Sequence, residues 1–186
     1  MTTMTTVSAQ AFRDGMARLG AAVNIVTTHG PAGMYGLTAS SVCSVTDAPP
    51  TLLVCMKRAS GLRDFFVTNG SLCVNVLAAD HQNLSGIFAG MTDLNMEGRF
   101  TTGEWRTMVS GAPALSGAIA CFDTAIVRTI EVGTHTIFLC EVLDVELGET
   151  PIGLVYFQRK YHHLRDSADP DLKLPVLANG KSSAVA

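Results

Sequence analysis

Hydroxyl side chains recur in one short stretch of the chain, among Val, Leu and Cys residues that favour extended backbone. The four hydroxyls belong to Thr38, Ser40, Ser41 and Ser44. On a strand, Thr38 and Ser40 face one way and Ser41 the other. If the strand enters a loop at Ser44, hydroxyls and backbone N–H groups can converge on an anion or on a polar ring edge. The alternative is an edge strand whose hydroxyls contact only water.

A cationic segment follows the next apolar stretch of the chain. It contains Lys57, Arg58, Ser60 and Gly61, and it precedes residues with helical spacing. Cationic side chains, backbone N–H groups and a helix N-terminus together favour a phosphate. The alternative is a solvated turn.

A histidine and several aromatic residues are further candidates for ligand contact. His135 follows Gly133 and Thr134 at the start of a strand, where it could donate to an amide or a carboxylate, or be a capped surface histidine. Two other segments, 99–100 and 156–162, combine aromatic and basic residues that could stack on a planar ligand or belong to the core.

Several classes of function lack their signatures in this sequence. The chain has no Gly-x-Gly-x-x-Gly after the first strand, no Walker lysine motif, no His-Glu-x-x-His and no Gly-x-Ser-x-Gly. We therefore expect no Rossmann-type dinucleotide-binding fold, no metal site and no nucleophile elbow of the α/β-hydrolase kind. A net charge of -3 without a basic stripe argues against nucleic-acid binding.

The location of the protein follows from its apolar runs and its cysteines. No apolar run reaches the roughly 18–20 residues that span a bilayer, and the first ten residues lack signal-peptide order. The five cysteines are widely spaced and form no Cys-x-x-Cys pair. We expect free thiols in a reducing cytoplasm, and no membrane association.

Hydrophobic periodicity predicts mostly strands with short helices in the 186 residues. Residues 1–165 are expected to form one domain, and 166–186 a polar tail. Short strands without regular βαβ alternation favour a closed antiparallel barrel. The low charged fraction of 16% suggests that a second subunit covers part of the surface. The predicted helices are 8–20, 60–68 and 81–89; the predicted strands are 22–28, 36–45, 51–57 (buried on both faces), 71–77, 118–129, 133–146 and 153–161, with a polar loop at 90–100.

Taken in order, these segments resemble a known family, the small flavin reductases that serve two-component aromatic monooxygenases. Each motif is weak alone, whereas their shared order and spacing are specific, from about Phe12 to His163. The matching segments are 12–28, 36–47 (Gly-Leu-Thr-Ala-Ser-Ser-Val-Cys-Ser-Val-Thr-Asp), 50–55, 72–77, 88–92, 96–100, 133–135, 153–157 and 161–162.

The resemblance implies a mainly β split barrel with short helices, like the FMN-binding proteins, usually a homodimer. It implies an NADH-dependent flavin reductase that releases FADH2 to a separate oxygenase acting on 4-hydroxyphenylacetate, phenols or chlorophenols; a close relative serves pyrimidine-ring cleavage. FMN or riboflavin as the flavin, or a flavin-binding protein without turnover, stays an alternative. A third alternative is a structural barrel without a ligand.

The resemblance also implies roles for individual residues. The isoalloxazine and ribityl chain would be lined by Gly36, Leu37, Thr38, Ala39, Ser40 and Ser41, with Ser44 near the phosphate end. The flavin phosphate, or the ADP part of a dinucleotide, would be held by Lys57, Arg58 and Ser60, next to Cys55. The ring would be bordered by Asn75, Val76, Leu77 and Ala78, and its outer side shaped by Phe88, Arg99 and Phe100. Nicotinamide would be faced by Tyr156, Tyr161 and His135. Of these, His135 would orient the nicotinamide without transferring a proton.

Overall fold

The computed structural model describes residues 6–149 and 152–165, and the predicted tail lies outside them. The α-helices are α1 Ala9–Met16, α2 Arg63–Asn69, α3 Gln82–Phe88 and α4 Met96–Phe100. The strands are β1 Ala21–Ala22, β2 Asn24–Thr28, β3 Tyr35–Ala39, β4 Val42–Asp47, β5 Pro50–Lys57, β6 Ser71–Val76, β7 Trp105–Thr107, β8 Pro113–Leu115, β9 Ala120–Val132, β10 His135–Leu147, β11 Gly153–Phe157 and β12 Lys160–Leu164. Short 3₁₀ helices cover Arg58–Ser60 and Ala79–His81.

A seven-stranded antiparallel sheet forms the body of the protein, in the order β3-β2-β6-β9-β10-β5-β4. Its two edges, β3 and β4, are consecutive along the chain and are joined only by Ser40 and Ser41. Among the described residues no ladder joins these edges, so the sheet is split and the prediction of a closed barrel is wrong. A two-residue hairpin there would need residues such as Asn-Gly, which Ser-Ser does not supply. The split barrel implied by the resemblance is confirmed.

The predicted strand 36–45 is therefore two strands that belong to opposite edges of the sheet. Ser41 is attached to β5 instead of β3: its carbonyl accepts from the Cys55 amide at 3.0 Å, and its hydroxyl donates to the Cys55 carbonyl at 2.8 Å. These two bonds fix the bend of the chain as it passes from one edge to the other. We call Ser40–Ser41 the link.

The predicted strand 153–161 is also two strands, β11 and β12, which form a hairpin beside β1. Gln158 and Arg159 occupy its turn with φ of 50° and 61°. Turns of this mirror-image kind match the twist of paired strands but favour Gly, Asn and Asp. Gln-Arg gives no such signal, so the sequence pattern predicts one continuous strand where the structure has a hairpin.

Two apolar clusters fill the fold, one on each side of the main sheet. One contains Val54, Met56 and Phe138 of the barrel interior; the other packs α3 and α4 against the opposite surface. Along β5 only alternate residues are buried, so the prediction of a strand buried on both faces is wrong. The outer face of a barrel strand points away from the interior, so alternation is the expected pattern.

Helix boundaries differ from the predictions at two places. Ser8 caps α1 as predicted, its hydroxyl accepting from the Ala11 amide at 3.1 Å, but the helix ends at Met16 and not at residue 20. The predicted loop 90–100 contains α4, which begins because the Asn95 side chain accepts from the Gly98 amide at 2.8 Å. Within the described residues no helix has the length and hydropathy needed to cross a membrane.

Candidate active site

The link lies next to a cavity of about 360 Å³ with two tyrosines in its wall. Tyr156 and Tyr161 are direct neighbours across the β11–β12 hairpin, with ring centroids 5.4 Å apart at 65°. The Tyr161 hydroxyl lies 2.9 Å from that of Ser85, which anchors it to α3. We call this space the tyrosine cavity; its lining residues are Val23, Thr38, Ala39, Ser40, Ala89, Met91, Tyr156, Arg159 and Tyr161.

The hydroxyls of the 38–44 stretch do not converge on one point. Thr38 donates to the Ser85 carbonyl at 2.6 Å, and Ser41 donates to Cys55. Ser44 pairs with Leu52 in β5, three residues from Cys55 and thus roughly 10 Å away along the strand. Thr38, Ala39 and Ser40 therefore line the tyrosine cavity together, whereas Ser44 lies apart from it.

A second group of predicted site residues lies on the other side of the link. His135 pairs with Lys57 across β10 and β5, and the Ser60 hydroxyl donates to the Lys57 carbonyl at 2.8 Å. The Arg58 amide donates to the Thr134 carbonyl at 3.0 Å, which holds the 3₁₀ turn against the start of β10. Lys57, Arg58 and Ser60 thus form one exposed group, which we call the cationic cluster, and the exposed His135 lies next to it.

Within the cationic cluster, the charge of Arg58 is offset by a neighbouring carboxylate. The Arg58 guanidinium bonds to Glu131 at 2.9 Å and to the Gly133 carbonyl, and Arg63 shares the same carboxylate at 3.3 Å. These pairs are exposed, so each contributes little free energy and a phosphate can compete for the arginine. Lys57 and Cys55 are two residues apart on β5, so the cluster begins roughly 7 Å from the link.

Four predicted contact residues follow one another at the end of β6 and mainly support the sheet. The Asn75 amide donates to the Ile25 carbonyl at 2.9 Å, and its oxygen accepts from the Leu115 amide at 2.6 Å. Asn75, Leu77 and Ala78 are fully buried and Val76 is half-buried. They do not line the tyrosine cavity, and their contact with a ligand stays a prediction.

Phe88 and Phe100 belong to an aromatic cluster in the core with Trp105, with ring centroids 5.0–5.4 Å apart. Gly36 permits this packing, because a Cβ there would lie 2.7 Å from a Phe88 ring carbon. Arg99 is half-buried and donates to the Leu94 carbonyl at 3.2 Å. Leu37 packs against the barrel core. None of these residues lines the tyrosine cavity, so a role for them in binding stays a prediction.

Four residues that were not predicted as site residues also line the tyrosine cavity: Val23, Ala89, Met91 and Arg159. Met91 follows α3, and Arg159 stands at the hairpin turn, where its guanidinium bonds to Asp14 of α1. The Gln158 amide donates to the Ala17 carbonyl at 2.7 Å, which fixes the turn against the end of α1. A recognisable turn sequence at 158–159 would have indicated that Arg159 stands at a hairpin turn. Gln-Arg is not such a sequence.

The site's chemistry is binding and positioning rather than nucleophilic catalysis. Burial raises the pKa of the Cys55 thiol beside the link, so the thiol stays protonated at neutral pH and is a poor nucleophile. The tyrosine cavity offers small and aromatic side chains suited to a flat heterocycle. The cationic cluster offers donors suited to a phosphate, and the link joins the two.

Comparison with known proteins finds similarity over most of the chain. The family model described as "Flavin reductase like domain" matches residues 16–165. The FMN reductase (NADH) RutF of Cronobacter sakazakii is 56% identical over 155 residues, 83% of this chain and 92% of that protein. The 4-hydroxyphenylacetate 3-monooxygenase reductase component of Pseudomonas aeruginosa is 49% identical over 156 residues, 84% of this chain and 92% of that protein. The crystal structure of flavin reductase HpaC with NADP+ gives a TM-score of 0.75 at 27% identity, over 84% of this chain and 98% of that one.

Proposed function

The chain belongs to the flavin reductase like family, and from this premise we propose that it is an NADH-dependent reductase supplying free reduced flavin to a separate oxygenase. It is an oxidoreductase that uses a flavin and a nicotinamide dinucleotide. NADH as the donor, the identity of the flavin and the oxygenase are the parts we propose.

One observation carries the proposal: the order of the site's three parts follows the order of parts in a flavin mononucleotide. That molecule has a flat ring, a hydroxylated chain and a phosphate. The structure has the tyrosine cavity, the link with its two serines, and the cationic cluster. The cavity volume of about 360 Å³ lies within the range of small-molecule sites. The residues of the site therefore fit a flavin mononucleotide.

The protein's contribution is to hold and orient, since hydride transfer belongs to the nicotinamide and flavin rings once both are bound. Tyr156 and Tyr161 form a rigid wall because their rings contact each other and Ser85 anchors one hydroxyl. Val23, Ala39, Ala89 and Met91 add apolar surface to the lining, beside the polar side chains of Thr38, Ser40 and Arg159. Apolar surface packed on a bound ring would shield it from water.

We take FMN as the flavin, with FAD as the second candidate. The relative with 56% identity is named an FMN reductase, and the three-part site ends at the cationic cluster without requiring an adenosine group. FAD is the flavin that the sequence resemblance implied. Because the cluster is exposed, a longer flavin could extend beyond it.

We also propose an oxygenase partner, a homodimer and a cytoplasmic location. The relative from Pseudomonas aeruginosa is the reductase component of a monooxygenase, which supports release of reduced flavin to a second protein. The exposed position of the cationic cluster is compatible with weak, reversible flavin binding. All five cysteines are free thiols, as is usual in a reducing compartment.

The test is NADH oxidation by the purified protein, followed by NADH absorbance, with FMN, with FAD and with neither. We expect oxidation that depends on added flavin and is faster with FMN than with FAD. Flavin binding without turnover would indicate a storage or sensor protein instead. A protein that neither binds flavin nor oxidises NADH would contradict the proposal altogether.

A further inference from the structure

A second groove, of about 640 Å³, runs along α1 next to the tyrosine cavity. Its far wall is one face of α1 and the residues just after it, with Phe12, Met16 and Leu19. These side chains are 62%, 48% and 61% exposed, and α1 contains no buried residue. Three large apolar side chains exposed side by side indicate a surface that a partner covers. We call this space the α1 groove.

Positive charge borders the apolar wall of the α1 groove. Arg13 and Arg159 line the groove, and Arg18 lies in the adjoining hollow beside Asp14. Arg13 donates to the uncharged Gln10 side chain at 2.8 Å, whereas Arg159 bonds to Asp14. Among the described residues no acidic side chain lines the groove itself. The α1 groove therefore suits a partner that carries large apolar side chains and carboxylates close together.

One segment of this chain combines those two properties. Residues 166–171, beyond the described part of the chain, include Asp166, Asp169 and Asp171 and no cation. Residues 172–177 then read Leu-Lys-Leu-Pro-Val-Leu. Because the family model matches residues 16–165, this acidic and apolar segment is not part of the matched domain.

The spacing of the apolar side chains is similar in the segment and in the groove. In an extended chain alternate residues face the same way, so Leu172, Leu174 and Val176 would lie roughly 7 Å apart on one side. On α1 a step of four residues, as from Phe12 to Met16, advances roughly 6 Å. Successive apolar side chains of the segment can therefore pack on successive apolar side chains of the groove.

The segment can reach the groove of its own chain. The last described strand ends at Leu164, which pairs with Gly153, three residues along β11 from the groove residue Tyr156. Three strand residues span roughly 10 Å. Residues 166–171 span up to roughly 20 Å when extended, so Leu172 can arrive at the α1 groove.

We propose that residues 169–177 of this chain bind in the α1 groove and restrict entry to the tyrosine cavity. The apolar side chains of the segment cover Phe12 and Met16, and its aspartates pair with Arg13. A tethered segment has an effective concentration of the order of millimolar, so even a weak contact keeps it bound for much of the time.

A segment in the α1 groove also lies against the tyrosine cavity, because Ser40, Tyr156 and Arg159 line both spaces. If about 80% of the molecules are closed, a flavin meets about one open molecule in five, and its apparent KM is about fivefold higher. This effect on flavin entry rests on the proposed function, whereas the docking itself does not.

The charge of the groove favours the segment over a second copy of the chain. Two α1 grooves that face each other across a twofold axis would bring their arginines together, and like charges across an interface repel. The aspartates of the segment complement these arginines directly.

Hydroxyl-radical footprinting of the full chain tests the docking, because it measures the exposure of individual side chains without turnover. Leu174→Asp weakens the apolar contact, and we expect Phe12 and Met16 to react about three- to fivefold faster in this variant than in the wild type. Val185→Asp, the same kind of change beyond the docking segment, is the matched control. Val109, which is 78% exposed, is the internal reference.

A charge exchange tests the contact between the aspartates and the groove. Arg13→Glu and Asp171→Lys should each increase the reactivity of Met16. The protein with both changes should regain the wild-type reactivity, since the two sites are then of opposite charge again.

Steady-state kinetics with FMN test the restriction of entry. Leu174→Asp should lower KM for FMN about fivefold, and Val185→Asp should leave it unchanged. An unchanged KM in Leu174→Asp, with Met16 clearly more reactive, would overturn the restriction of entry. Release of the segment in a protein without reductase activity would contradict the proposed function and support the docking.

Four further outcomes would overturn the docking. The first is equal reactivity of Phe12 and Met16 in the wild type and in Leu174→Asp. The second is an equal increase in Val185→Asp, and the third is a doubly changed protein that does not regain protection. The fourth is protection that disappears on dilution as the mass of the wild type halves, which would assign the groove to a second copy.

Discussion

His135 is held at one end of its ring and exposed at the other. Its Nδ1 lies 2.9 Å from the Thr134 hydroxyl, so Nε2 is the atom available to a ligand. A ring anchored in this way can donate to or accept from a nicotinamide amide without changing its protonation during the reaction. The residue therefore suits orientation better than proton transfer.

We expect His135→Ala to raise KM for NADH about fivefold, because one hydrogen bond to the dinucleotide is lost. The shape of the pH–rate profile should not change. Steady-state kinetics at several pH values measure both, with His29→Ala in the β2–β3 turn as the control. An unchanged KM together with the loss of a pH-dependent step would show that His135 transfers a proton.

His81 is a second histidine with a defined task, at the start of α3. Its Nδ1 accepts from the Ala78 amide at 3.3 Å, which requires the neutral ring. Burial lowers the pKa of His81 below its ordinary value of 6.5, although Asp80 opposes the shift. The unfolded chain therefore binds this proton more tightly than the folded protein does, and acidification favours unfolding.

Between about pH 8 and pH 5, the wild type should lose thermal stability relative to His81→Gln. The glutamine oxygen can accept from the Ala78 amide, as in a capping box, but does not titrate. Melting temperatures of both proteins across this range measure the effect. If the melting temperatures of the two proteins changed with pH in parallel, protonation of His81 would not weaken the fold.

At the scale of elements, α3 and α4 are packed against β3 by a contact that only glycine allows. Gly36 faces the rings of Phe88 and Phe100, and a Cβ there would lie 2.7 Å from one and 3.2 Å from the other. These rings are buried and contact each other and Trp105, so they have little room to move. The same contact brings Thr38 close to Ser85 and Tyr161.

Gly36→Ala should lower the free energy of unfolding by about 1–3 kcal/mol, the usual cost of overpacking a core. Gly15→Ala in α1 is the matched control: nothing lies within 4 Å of its added Cβ, and a helical alanine should stabilise by up to about 1 kcal/mol. Urea unfolding measures both. Equal stability of the two variants would mean that the aromatic cluster relaxes freely.

At the scale of the whole molecule, β10 leaves apolar side chains exposed on its outer surface near its end. Val145 and Leu147 occupy alternate positions on one face and are 44% and 80% exposed. This surface is separate from the tyrosine cavity, because no residue of β10 lines that cavity. It is the surface through which we expect the homodimer to form.

Light scattering should therefore give twice the chain mass of 19.7 kDa, and Leu147→Asp should shift the protein toward the monomer. A buried aspartate without a partner destabilises an interface strongly. Val109→Asp places the same charge on an exposed apolar residue of the β7–β8 connection and should leave the mass unchanged. A monomeric wild type would contradict the proposal.

The sequence by itself determined most of the strands, the cap of α1 at Ser8 and the grouping of Lys57, Arg58 and Ser60, because these depend on residues close together in the chain. It did not determine the breaks that separate β3 from β4 and β11 from β12, nor the short strands β7 and β8. The resemblance in segment order added the split barrel. Only the tertiary structure decided that Ser40–Ser41 joins two sheet edges and that Phe88 and Phe100 are core residues. It alone placed Arg159 beside Asp14, 145 positions away. Local propensity acts over a few residues, whereas sheet edges, core membership and distant ion pairs depend on how all elements pack together.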